Sequence, residues 1–216
     1  MENSKEPIQQ LIEIRDLMER SSRFISLSGL SGISAGIIAL AGSAIAFFSL
    51  GFDQRYFTMK PYIEMISGFE SGPSWLNIIL DALIMLALAL SSGIYFTTRR
   101  ARNKGLKVWD NTAHRLVINL LIPLGAGGIL CLLFIYHQLY LLLAPITLLF
   151  YGLALINASK YTFHEIRFLG ISVIVLGLLA SWLPGYGILF WAAGFGPGHI
   201  VYGVVMFIKY EGSSKE

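Results

Sequence analysis

A chain of 216 residues that is 55% hydrophobic and 13% charged is too apolar for an ordinary soluble domain, where charged residues make up about a quarter. The charges fall in short clusters between long apolar runs, the pattern that an apolar solvent imposes on helices. Runs this continuous exclude an outer-membrane barrel, and the formal charge of +3 is no nucleic-acid footprint, because its distribution follows the loops.

Residues 7–23 read as an amphipathic helix, with Ile8, Leu11, Ile14 and Met18 near one face at spacings of three and four. Asp16 with Arg20, and Glu19 with Arg23, are acid-before-base pairs four residues apart, and Pro7 is tolerated in the first turn. Five acidic groups (Glu2, Glu6, Glu13, Asp16 and Glu19) precede the first apolar run, which argues against a secretory signal. This helix is expected to dock on cytoplasmic loops or on a partner.

Six stretches follow that suit a membrane crossing of about 20 residues: 24–48, 75–98, 116–136, 139–158, 168–183 and 188–208. In the first, Ser28, Gly32, Gly36 and Ala39 form a small-residue stripe that lets two backbones approach closely in lipid. Packing against another span of the same chain is the favoured reading, and self-association the alternative. Residues 51–74 form the only long outer connection, and their aromatic content (Phe52, Tyr56, Phe57, Tyr62, Phe69) predicts a position at the membrane interface.

The basic residues fix an orientation. Lys5, Arg15, Arg20 and Arg23 precede the first span. Arg99, Arg100, Arg102, Lys104, Lys107 and Arg115 lie between the second and third, Lys160 and Arg167 between the fourth and fifth, and Lys209 and Lys215 after the sixth. Only Arg55 and Lys60 fall on the other side, so the positive-inside rule predicts both termini in the cytoplasm. The one cysteine, Cys131, lies inside the third span and allows no intramolecular disulfide.

Residues 114–161 and 164–210 share a faint pattern. Each opens on a histidine with an arginine close behind. Each ends in Tyr-Gly, an apolar stretch and Lys-Tyr: Tyr151-Gly152 with Lys160-Tyr161, and Tyr202-Gly203 with Lys209-Tyr210. Gly93-Ile94-Tyr95 before Arg99 echoes it. The expected fold is all-α and membrane-embedded: a cytoplasmic amphipathic helix (1–23), a six-helix transmembrane domain (24–210, as hairpins 24–98, 114–161 and 164–210) and a cytoplasmic tail (211–216). Repeats in one orientation differ from the inverted repeats of many secondary transporters.

Three stretches carry a resemblance: Met18-Glu19-Arg20-Ser21-Ser22-Arg23-Phe24-Ile25-Ser26-Leu27-Ser28-Gly29, Phe150-Tyr151-Gly152-Leu153-Ala154-Leu155-Ile156-Asn157-Ala158-Ser159-Lys160-Tyr161, and His199-Ile200-Val201-Tyr202-Gly203. They resemble a family of integral membrane proteins of Bacteroidota that has no established activity to carry over; the resemblance implies a bacterial inner membrane. The hairpins with paired glycines also look like the short membrane repeats of HdeD-type proteins.

Ionisable groups inside spans are the first place to seek function. Asp81, with Asn77 one turn before it, suits a proton or cation site, or an aspartate that helps hold helices together; the second reading is favoured. His199 lies in Gly194-Phe195-Gly196-Pro197-Gly198-His199, where Pro197 should kink or break the sixth helix. Broken helices form ion and substrate sites, but a simple bend, with His199 satisfying a freed carbonyl, is favoured. Pro123 and Pro145 predict two further kinks. Asp110 and His114, four apart, with His164 and Glu165 from another connection, make a candidate cytoplasmic polar cluster of metal-ligand character, for which charge pairing is the expected use. The four histidines, His114, His137, His164 and His199, are spread across the bilayer, which argues against an iron oxygenase. No phosphate loop, zinc-protease motif or nucleophile elbow is found. Asn157-Ala158-Ser159 has the form of a glycosylation sequon, but at the cytoplasmic end of a span it carries no such meaning. The expectation is a non-enzymatic membrane protein with no cofactor. Its partners would be lipid and a protein or second copy met through the N-terminal helix and first span; the alternative is a small transporter or channel using Asp81 and the broken sixth helix.

Overall fold

The computed structural model describes residues 27–49, 75–137, 139–183 and 185–212; the expected N-terminal helix and the outer connection 51–74 lie outside them. Among the described residues all regular structure is helical: α1 (Gly29–Ser49), α2 (Trp75–Asn103), α3 (Asn111–Tyr136), α4 (Leu143–Ala158), α5 (Glu165–Trp182), α6 (Gly187–Phe195) and α7 (Pro197–Tyr210). Short 3-10 turns, Tyr140–Leu142 and Ser159–Tyr161, flank α4. Six segments are long and apolar enough to cross a membrane: Gly29–Phe48, Ile79–Asn103, Asn111–Tyr136, Tyr140–Tyr161, Glu165–Trp182 and Gly187–Tyr210, the last made of α6 and α7.

Exposure supports that reading. Leu83, Ile84, Leu86, Leu90 and Ile94 of α2, and Leu121, Ile122, Ile129 and Leu132 of α3, face outward. In water such a surface would far exceed the apolar patches that monomeric proteins tolerate; against hydrocarbon it has no cost. The chain is a multi-pass helical membrane protein.

Helix ends follow local chemistry. Gly105, at φ +64°, closes α2, with Leu106 N–H donating to Ala101 O at 2.9 Å and Gly105 N–H to Arg102 O at 3.0 Å, the hydrogen-bond pattern of a Schellman cap. Asp110 starts α3 by accepting from Ala113 N–H at 2.7 Å, as an N-cap should. The expected break in the sixth span is present: α6 ends before Gly196 and Pro197 opens α7. Pro145 differs from expectation. It is the third residue of α4, and in a first turn its missing donor has no partner to lose, so it begins a helix instead of kinking a span. Pro123 lies inside α3, which continues through it as one helix.

The most extensive packing joins α4 to α5, and the crossing of α1 with α7 is built like it. A Cβ on Gly203 would meet Ile33 N at 2.5 Å and Gly29 O at 2.6 Å; one on Gly152 would meet Gly170 O at 2.7 Å and Ile174 N at 3.0 Å. In both, a glycine sits on a Gly and an Ile four residues apart. The Gly32–Gly36 stripe of α1 is spent here, against Gly203, Gly196 and Ile200, so it packs within the chain. Leu148, Leu155, Ile166, Leu169, Val173 and Ala180 form the buried core. Among the described residues α2 packs substantially on α1 alone, and α3 on α4 and its flanking turns.

Candidate functional site

His199 occupies the break between α6 and α7 and is 7% exposed. Ending α6 there leaves carbonyls without helical partners. His199 Nδ1 lies 3.0 Å from Gly194 O; a carbonyl only accepts, so Nδ1 carries the hydrogen. In the neutral ring Nε2 then accepts from the Tyr151 hydroxyl at 2.6 Å. The imidazole also stacks on Phe195, with centroids 5.7 Å apart and planes 12° apart. Both ring nitrogens are therefore engaged in joining α4, α6 and α7.

Asp81 lies on a helix face with Met85, Ala89, Ser92, Phe96 and Arg100, the less exposed positions of α2. Met85 meets Gly42 of α1 and the Ser34 hydroxyl donates to Ser92 Oγ at 3.1 Å, so this face looks toward α1. Asp81 itself has no hydrogen bond or ion pair among the described residues. Those contacts put Asp81 level with residues 45–46 of α1, whereas the His199 backbone touches Gly32. At 1.5 Å per residue the two differ by roughly 20 Å along the bundle. Asn77 lies one turn before Asp81 on α2. The structure does not bring Asp81 and His199 into one site.

The residues of the candidate cytoplasmic cluster are used separately. Asp110 caps α3, and His114 meets Trp109 edge-on at 6.0 Å. His164 meets Phe168 edge-on at 5.5 Å. Glu165 Oε1 accepts from Lys209 Nζ at 2.5 Å and from the Tyr210 hydroxyl at 3.0 Å. Among the described residues no group of three or more His, Cys, Asp or Glu is placed to hold a metal ion.

Two groups were missed in the sequence. Arg100, counted there among the basic loop residues, is 7% exposed. Its Nη1 donates to Leu27 O and to Glu211 Oε1, the latter at 3.1 Å, and its Nη2 donates to Tyr210 O at 3.1 Å. Glu211, assigned to the tail, accepts from Gly29 N–H at 2.6 Å and from the Ser28 hydroxyl at 3.3 Å, placing an anion at the positive end of α1. One ion pair thus ties α1, α2 and α7 at the bundle end that also carries the α2–α3 turn. The second is Asn157: its side-chain amide donates to Asn119 O at 2.8 Å. Asn119 is four residues before Pro123, which has no N–H to offer that carbonyl. A proline with a polar side chain on the neighbouring span was the available signal. Arg100 Nε, Glu165 Oε2 and the Tyr202 hydroxyl are buried without a hydrogen-bond partner among the described residues.

No family model, curated protein or solved structure matches this chain.

Proposed function

We propose that this protein is a non-enzymatic inner-membrane protein of bacteria, with both termini cytoplasmic, that acts by binding protein or lipid partners at its cytoplasmic face. One observation carries the reading: the intramembrane polar groups with partners are engaged in holding helices together. His199 and Tyr151 satisfy the broken sixth span, Arg100 and Glu211 tie three helices, and Asn157 serves Asn119. The exposed charge gathers instead on the α2–α3 turn, and the lopsided distribution of Lys and Arg supports the orientation. Packing of α1 on α2, α3 on α4 and α5 on α6 supports three hairpins, and the resemblance to the Bacteroidota family supports the bacterial membrane. Native mass spectrometry of gently extracted protein tests this: a stoichiometric partner is expected, lost when residues 1–20 are deleted while insertion persists. A chain that carries no partner, and whose cellular role survives that deletion, overturns the protein-binding arm.

Asp81 favours a second reading, a small transporter or channel using Asp81 and the broken sixth helix, because an acid inside a span with no described partner is a default functional candidate. Its test is proton or cation flux in vesicles: the unaltered chain supports a flux that Asp81→Asn abolishes if this reading holds, and neither chain supports flux if the first one does.

A further inference from the structure

The spans run as an arc. α2 packs on α1, α1 on α6 and α7, these on α5 (and α6 on α4), and α4 on α3, while α2 and α3 share no more than marginal contact. Yet only residues 104–110 separate Asn103 from Asn111, a tether whose full extension is about 28 Å. The tether is folded at both ends, by the cap at Gly105 and by Asp110 on Ala113. The ends of the arc therefore flank a seam that no described helix seals, bridged at one end by a structured turn.

That turn and its flanks expose Arg99, Arg102, Lys104, Lys107 and Arg115. Asp110 is the one acid among residues 99–115, and its side chain serves the first turn of α3. Arg100 is buried and paired with Glu211, so the excess charge belongs to the five exposed cations. Trp109, 63% exposed, sits among them, the type of ring that favours headgroup depth.

We propose that this seam binds an anionic phospholipid, its phosphate against the exposed guanidinium and ammonium groups of the turn and its acyl chains between α2 and α3. The charge selects the occupant. A second copy docking seam to seam would set the same five cations against themselves, whereas a phosphate neutralises them. Basic residues at a membrane surface each contribute about fivefold in affinity for anionic lipid. This deepens the lipid arm of the proposed function and rests on it.

The test uses the full chain in phosphatidylcholine vesicles with a trace of phosphatidylglycerol carrying a photoactivatable acyl chain, beside a matched phosphatidylcholine probe. Crosslinks are expected to concentrate on α2 and α3, to favour the anionic probe several-fold, and to fall tenfold or more when Arg102→Gln, Lys104→Gln and Lys107→Gln are combined. These positions are exposed, so an unchanged unfolding midpoint confirms that the variant is folded. Labels spread evenly over all six spans, or equal labelling by the two probes, overturn the proposal. So does full displacement by soluble glycerol phosphate, which would mean that the turn holds phosphate without the seam. Strong labelling that emerges only after deletion of residues 1–23 overturns it too, since the chain's own N-terminal segment would then fill the seam. Because only defined lipids are present, failure here is separate from failure to find a protein partner.

Discussion

The inner crossings and the outer helices differ in what their glycines meet. Where α7 meets α1 and α5 meets α4, glycines bring backbones together, with Gly203 on Gly29 and Gly152 on Gly170. Where α2 and α3 join the bundle, glycines meet side chains instead, Gly42 on Met85 and Gly127 on Phe150, and polar ties are added: Arg100 and Ser92 for α2, and Asn119 with Asn157 for α3. In lipid no hydrophobic drive distinguishes a helix from a fatty chain, so close packing and interhelical hydrogen bonds are what remains. Both regions use both, but only the inner crossings set backbone directly against backbone.

The largest effect should come from cutting the polar tie that anchors α2. Arg100→Gln leaves Glu211 at the start of α1 without its cation and frees the carbonyls of Leu27 and Tyr210. Breaking a buried pair by removing one partner typically costs about 3–5 kcal/mol, and the partial exposure of Glu211 argues for the lower end. Detergent-denaturation midpoints measure it. A loss under about 1 kcal/mol would mean that α2 is held mainly by its contacts along α1.

Next comes the inner crossing. Alanine is favoured over glycine in a helix by about 1 kcal/mol, so Gly203→Ala and Gly152→Ala would stabilise if propensity decided. Each added Cβ would instead fall within 3 Å of a neighbouring helix's backbone, and overpacking of this kind costs about 1–3 kcal/mol. A net loss of stability is expected in both variants, by similar amounts because the two crossings share their geometry. A marked difference between them would show that the likeness is superficial.

The same division explains what the sequence disclosed. Six apolar stretches, the break at Pro197 and the internal use of the Gly32–Gly36 stripe follow from composition and from proline and glycine chemistry, which act locally. Arg100, Glu211 and Asn157 were opaque because their roles depend on which helices become neighbours. Arg100 reads as one more basic loop residue until α7 ends beside it. Asn157 reads as an idle sequon until α3 presents a carbonyl stripped of its donor by Pro123. Asp81 and His199 look like a pair on paper because both are ionisable and embedded; the packing sets them at different depths.

The Asn157 tie offers a smaller and more diagnostic effect. Asn157→Leu removes the donor to Asn119 O, and hydrogen bonds between spans are worth about 0.6 kcal/mol, up to about 1.7. The proline makes a cycle possible. Pro123→Ala restores a backbone N–H to that carbonyl, so in its background Asn157→Leu should cost appreciably less. Equal costs in both backgrounds would show that Asn157 acts through Asn119 Oδ1, 3.2 Å away, and not through the freed carbonyl.

The smallest effect separates the two kinds of region most cleanly. Gly93 of α2 echoes Gly152 and Gly203 in its sequence surroundings, yet a Cβ there meets nothing within 4 Å. Gly93→Ala should therefore keep the propensity gain with no clash to oppose it, raising stability by up to about 1 kcal/mol. The sign is the informative part. A gain says that the glycine motif serves packing only where another helix lies across it. A loss comparable to that of Gly203→Ala would mean that something beyond the described residues lies against this face of α2, and that the flank is closed in the same way as the core.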